Sequence, residues 1–165
     1  MDGRRVRGLA AGGAVRVIEA DVLGPALHTA AIHRLSPAAA RLAAEGVAAA
    51  VVLAASLKGD DRMTLQVQTE DPQVGLYVEV RGDGSLRARL SPTSIASRSV
   101  TELEGLVLII RSNEGGEVYR GMTSLQGESI SHGLTRHLAE SDQIDARLTV
   151  HVATDADGVL AAVSG

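Results

Sequence analysis

Hydrophobic and polar residues alternate strictly through the middle of the chain. Met63, Leu65 and Val67 fall on one face of a segment whose other face carries Arg62, Thr64, Gln66 and Gln68. Val74, Leu76, Val78 and Val80 repeat the pattern, and Leu86, Ala88 and Leu90 follow. A period of two marks a strand with one face buried and one face wet. Asp71-Pro72 breaks the first pair, and Gly82-Asp83-Gly84 supplies the positive-φ positions of a tight hairpin turn. Residues 62–90 therefore read as an antiparallel meander.

The period changes on both sides of it. Ser36-Pro37 is a helix entry, with Ser36 as N-cap and Pro37 at the first helical position. The Ala-rich helix it opens is predicted to run to about Leu57 and to end on Gly59. Leu42, Val47, Val51 and Leu53 through Leu57 give it a broad apolar surface, which suits a helix wedged against a sheet. A weaker helical pattern covers 24–33. Val15 to Ala20 reads as a strand, and the polar stretch Ser91 to Glu104 as an irregular loop. Leu106 to Ile110 is a continuous apolar run, which predicts a strand buried on both faces. Val118 to Leu125 is another strand. Ile130, Leu134 and Leu138 line one face of a helix ending near Ser141. Arg147 to Thr154 alternates again, and after the turn at 155–158 a returning strand begins at Val159. No linker divides the chain and no internal repeat is apparent. The expected architecture is one α+β domain over residues 1–165, with antiparallel sheet or sheets of about six to seven strands packed with helices.

Composition narrows this. The chain is 45% hydrophobic and 22% charged, as a soluble globular domain is. It has two tyrosines and no Phe or Trp, so its core is aliphatic and base stacking on nucleic acid has almost nothing to use. The formal net charge is −4. Arg4, Arg5, Arg7 and Arg16 make the N-terminal segment locally basic, and it reads as solvated chain. Leu9 to Val15 is too short and Gly-rich for a secretory leader. Val47 to Leu57, the longest apolar run, is too short to cross a bilayer and fits a buried helix. No membrane partner is expected, and the expected compartment is the cytoplasm. With no cysteine, disulfides and thiolate zinc sites within this chain are excluded.

Candidate chemistry is sparse. His28 and His33 are five apart, as are His132 and His137, whereas a helical metal pair wants i,i+4. These histidines, with His151, read as surface or helix-end residues. Asp60-Asp61 and Asp155/Asp157 read as solvated turns, and Arg81-Gly82-Asp83 as hairpin chemistry. There is no Gly-x-Ser-x-Gly elbow and no phosphate loop followed by Lys-Ser/Thr. An enzyme is not expected.

Several blocks nevertheless resemble, in order, the N-terminal domain of the redox-regulated 33 kDa chaperonin (heat shock protein 33) family. They are Leu53 to Gly59 followed by Arg62 to Gln68, then Gly75 to Val80 with Gly82 to Arg87, then Tyr119-Arg120-Gly121 with Leu125 to Glu128, then Ser141-Asp142-Gln143. At Ile144 the family commonly has a proline. The resemblance implies an ATP-independent, stress-activated holdase that binds unfolded client proteins. It also implies a following domain whose cysteines bind zinc and act as a redox switch. None of those cysteines is in this chain, so no cofactor is expected within it. The stop after Val163-Ser164-Gly165 is expected to be either the end of a fragment or that of a short paralogue without the sensor. Client contact is expected on the meander, at Leu76, Tyr77, Val78 and Val80. Burial against the 47–57 helix competes for the aliphatic positions, and Tyr77 is the strand residue singled out as exposed. An unpaired edge near Arg147 to Thr154 would favour a homodimer. The other reading is an interaction module that keeps the fold without chaperone activity.

Overall fold

A computed structural model describes residues 3–70, 73–96 and 101–165. Among these residues two antiparallel sheets enclose a central helix. The first strands, β1 (Arg4–Ala10) and β2 (Val15–Asp21), form a hairpin. Helices α1 (Leu23–His33) and α2 (Pro37–Leu53) follow, the latter running on into a 3₁₀ turn at Ala54–Ser56. Next come β3 (Arg62–Glu70), β4 (Gln73–Arg81), β5 (Leu86–Ser91), β6 (Leu103–Asn113) and β7 (Gly116–Glu128). Helix α3 (Ile130–Glu140), β8 (His151–Thr154) and β9 (Leu160–Ser164) complete the order. The five-stranded sheet has the order β5-β4-β3-β6-β7 and the four-stranded sheet the order β1-β2-β9-β8.

Helix α2 is the centre of the core. The Ser36 hydroxyl accepts from the Ala39 N–H and Pro37 stands at the first helical position, as an N-terminus requires. Twelve residues from Ala39 to Val51 are buried, most of them alanine, so the helix is covered nearly all round. Pro37–Ser56 is the one helical stretch among the described residues long and apolar enough to span a membrane by length and composition, and 78% of the tested window is buried inside the fold. The sheet packs onto it through Met63, Leu65 and Val67 of β3, Val74, Leu76, Val78 and Val80 of β4, and Val107 and Ile109 of β6. With no Phe or Trp to fill the core, close approach replaces bulk. Gly46 marks the tightest point: a Cβ there would overlap Leu76 Cδ2, which is itself buried.

Glu45 is the exception in this apolar helix. It is 7% exposed, and its Oε1 accepts from the Ser131 N–H at 3.1 Å and the Ser131 hydroxyl at 3.3 Å. It thereby satisfies a free N–H in the first turn of α3, which Ser129 caps from its own side chain. Burial pushes the Glu45 carboxyl above its ordinary value, against the opposing pull of the Ser131 bonds.

The meander, α2 and α3 stand where the sequence predicts them, but the described residues form nine strands rather than six to seven, and four elements differ. Arg4–Ala10 is a strand rather than solvated chain: it pairs with β2 from Arg4↔Asp21 to Ala10↔Val15, and Arg7 Nη1 reaches the Ala55 carbonyl at 2.8 Å. Helix α2 ends at Leu53 rather than Leu57. The strand expected over Arg147–Thr154 is regular only from His151, and it lies at the edge of its sheet. Leu106–Ile110 is buried on one face only, with Leu106 46% exposed. The Asp71-Pro72 break lies outside the described residues.

Two stability experiments follow from the core. Gly46→Ala should lower unfolding free energy by about 1–3 kcal/mol, because overpacking against Leu76 outweighs the gain of about 1 kcal/mol in helix propensity; urea denaturation measures it. Glu45 has a folded-state pKa above its unfolded one, so the folded state holds the proton more tightly. Its ionisation costs stability as pH rises above the unfolded value. Glu45→Gln should therefore gain relative to the parent chain between pH 4.5 and pH 7.5, read from urea midpoints at both values. An equal offset at the two pH values would contradict this.

Candidate functional site: the outer face of the five-stranded sheet

Because α2 and α3 cover one face of the five-stranded sheet, the alternate residues of every strand point outward. The register assigns them to rows. One row reads Arg89, Tyr77, Gln66, Leu108 and Met122; the next reads Arg87, Glu79, Thr64, Ile110 and Arg120. On the opposite side of the first lies Ser91, Gly75, Gln68, Leu106 and Ser124. A sheet face in water is ordinarily polar. On β3, β4 and β5 it is so, but β6 and β7 present aliphatic side chains. Leu106 and Met122 are 46% and 63% exposed, Leu108 and Ile110 are half-buried, and Val118 near the turn is 62% exposed. The result is a strip of aliphatic surface bordered by Thr64, Gln66 and Gln68.

Arginines frame this strip. Arg87 Nη2 donates to Glu79 Oε2 at 2.9 Å, and Arg81 lies 3.8 Å from the same carboxylate. The Tyr77 hydroxyl also donates to Glu79, at 3.1 Å. Although Glu79 is buried, these partners lower its pKa from the ordinary carboxylate value, outweighing a desolvation that acts the other way. Arg120 makes a forked pair with Glu117 at 2.9 and 2.7 Å. Arg62 and Arg89 are exposed and have no ion-pair partner among the described residues.

The four meander residues expected to touch clients divide between the two faces. Leu76, Val78 and Val80 are at most 2% exposed and lie beneath α2, so in this fold they are core. Tyr77 is half-buried on the outer face, in the row that contains Leu108 and Met122. The aliphatic strip itself lies on β6, which is expected to be buried on both faces, and on β7, a strand predicted without a contact role. Its signal was present in the chain, because Leu106, Leu108 and Ile110 fall opposite Gln68, Gln66 and Thr64 once β6 is paired with β3.

One histidine also departs from expectation. His137 is 1% exposed rather than superficial. The Tyr119 hydroxyl lies 2.8 Å from His137 Nε2 and donates to Asp142 Oδ1 at 2.5 Å. A phenol has one proton and a carboxylate can only accept, so His137 Nε2–H donates to Tyr119. His137 Nδ1 is buried without a partner in the described structure. Burial and Asp142 push the Tyr119 pKa up to about 12, which keeps the phenol protonated. Gly121 leaves the space for this cluster, since a Cβ there would crowd His137 Nε2 at 2.6 Å. The cluster clamps the end of α3 onto β7 and has no accessible nucleophile in it. Among the described residues no three His, Asp or Glu side chains converge as metal ligands. The thiolate zinc site that the resemblance implies does not fit this chain, which contains no cysteine.

An aliphatic sheet face on one side and a buried helix on the other define an α+β domain with an exposed apolar strip. Comparison with known proteins identifies its lineage. The family model described as Hsp33 protein matches residues 3–165, and the chain belongs to that family. It is 30% identical over 174 residues to a 33 kDa chaperonin of Thermus thermophilus, covering 99% of this chain and 51% of the relative. It is 26% identical over 170 residues to a 33 kDa chaperonin of Pelobacter propionicus, covering 97% of this chain and 56% of the relative. The crystal structure of a 33 kDa chaperonin homologue from Thermotoga maritima superposes with a TM-score of 0.79 at 18% identity, over 97% of this chain and 59% of that one, and so shares the fold. The chain thus spans about half the length of the curated relatives it matches.

Proposed function

We propose that this chain is the client-handling part of a holdase chaperone, acting without ATP and without catalysis of its own, in the cytoplasm. The observation that carries the reading is the aliphatic strip at Leu106, Leu108, Ile110 and Met122, open on the face of a sheet that needs no rearrangement to present it. Hydrophobic contact is non-directional, so such a strip accepts many unfolded sequences. Family membership supports the chaperone class, and the absence of a phosphate-cradling loop supports independence from ATP. Tyr77 enters this reading at the margin of the strip. Leu76, Val78 and Val80 enter it as core residues on the helix-covered face of β4, two strands from β6, a structural role in place of direct contact.

Light scattering from a heat-denatured model client tests the reading. Several-fold molar excess of the chain should suppress aggregation, and Leu106→Asp with Met122→Asp should remove most of that suppression. Both positions are surface sites, where substitutions change stability by about 0.5 kcal/mol or less, so the variant should stay folded. A chain that leaves aggregation untouched would be an interaction module without chaperone activity.

The reading extends to self-association. Strand β8 is an edge strand, and open edges pair with other chains. Sedimentation should show association that grows with concentration, and a monomer across the accessible range would remove the dimer from the proposal.

A further inference from the structure

The two ends of the aliphatic strip carry opposite charge. At one end Arg62 of β3 pairs directly with Arg81 of β4 and with Ser112 of β6. Arg81 is turned toward Glu79, and Arg62 has no ion-pair partner among the described residues. At the other end the register Thr69↔Gly105 sets Glu70 beside Glu104, and both line one recess with Leu106. Both glutamates are exposed, and no ion pair is recorded for either among the described residues. Like charges on neighbouring strands destabilise a sheet. A domain of net charge −4 has therefore set one unpaired cation at one end of its apolar strip and two neighbouring anions at the other, each open to a counter-charge from outside.

Resting on the reading that this face holds clients, we propose that it selects extended apolar segments flanked by charge, with an acidic residue at the Arg62 end and a basic residue at the Glu70–Glu104 end. The spacing is that of a strand. Leu106, Leu108 and Ile110 succeed one another every second residue, about 7 Å apart, and the charged groups lie one further step beyond on either side. A segment with aliphatic residues at i, i+2 and i+4 covers the strip. It then brings position i−2 to one charged end and i+6 to the other. A segment with the opposite order of charges lies on the face in the reverse direction. The selection is therefore for two unlike ends over any pair of like ends. Unfolded segments rich only in lysine, or only in aspartate, meet repulsion at one end.

Three blocked, labelled peptides of pattern charge-x-Leu-x-Leu-x-Leu-x-charge test this by fluorescence anisotropy with the whole chain. One carries Lys and Asp at its ends, one Lys at both, one Asp at both. The mixed peptide should bind about three- to tenfold tighter than either other at low salt, since exposed ion pairs are individually weak. The advantage should vanish near 0.5 M salt, where screening lengths fall well below the strip's length. Arg62→Glu should make the double-lysine peptide the best ligand, and Arg62→Gln should leave an intermediate order. Equal binding of all three peptides at low salt, or an order unchanged in Arg62→Glu, overturns the charge selection alone. Met122→Asp should weaken all three together; if it weakens none, the face is not the site, and the charge selection falls with the reading beneath it.

Discussion

Everything in this structure depends on α2 being buried on nearly all sides without an aromatic residue to fill space. A helix of alanine, glycine and valine is narrow, so its neighbours come close. Gly46 against Leu76 is where that closeness is greatest. The same narrow helix can cover only one face of the five-stranded sheet. The opposite face has no second layer among the described residues, and its character is set by the strands alone. On β3, β4 and β5 the outward residues are polar, as a one-sided sheet requires. On β6 and β7 they are not, and the exposed strip exists because these two strands carry aliphatic residues on both faces while the helices cover only one.

Much of the fold is legible in the residues because local chemistry states it. The alternation over 62–90 gives the meander with its faces assigned correctly, and Ser36-Pro37 marks the start of α2. What was not legible depends on partners distant in sequence. Arg4–Ala10 has charges where a core strand would have aliphatics, and it becomes a strand only by pairing with β2. Leu106–Ile110 reads as buried on both faces because five apolar residues in a row carry no period. Only the absence of a covering layer distinguishes the exposed even positions from the buried odd ones. His137 reads as superficial because nothing near it in sequence names Tyr119 or Asp142 as its partners. The meander drew attention to the right sheet, but its aliphatic residues face the helix on the other side, and the exposed strip belongs to the neighbouring strands.

The charge pattern gives the strip a direction that apolar contact alone lacks. Glu79 sits within it as an internal tie, holding Arg81, Arg87 and Tyr77 at once. Those pairings leave Arg62 available, so the arginine end is defined as much by which cations are already engaged as by which are present.

The aromatic poverty of the chain has an optical consequence. With no tryptophan, its near-ultraviolet emission comes from two tyrosines, and both donate to carboxylates. Tyr119 donates to Asp142 inside the fold and Tyr77 to Glu79 on the outer face, an arrangement that quenches phenol emission. Tyr77 lies half-covered in the row that contains Leu108 and Met122. The protein therefore carries two dim chromophores, one beside its exposed strip and one in its interior clamp. A rise in emission reports the loss of one of these two contacts, with no label added.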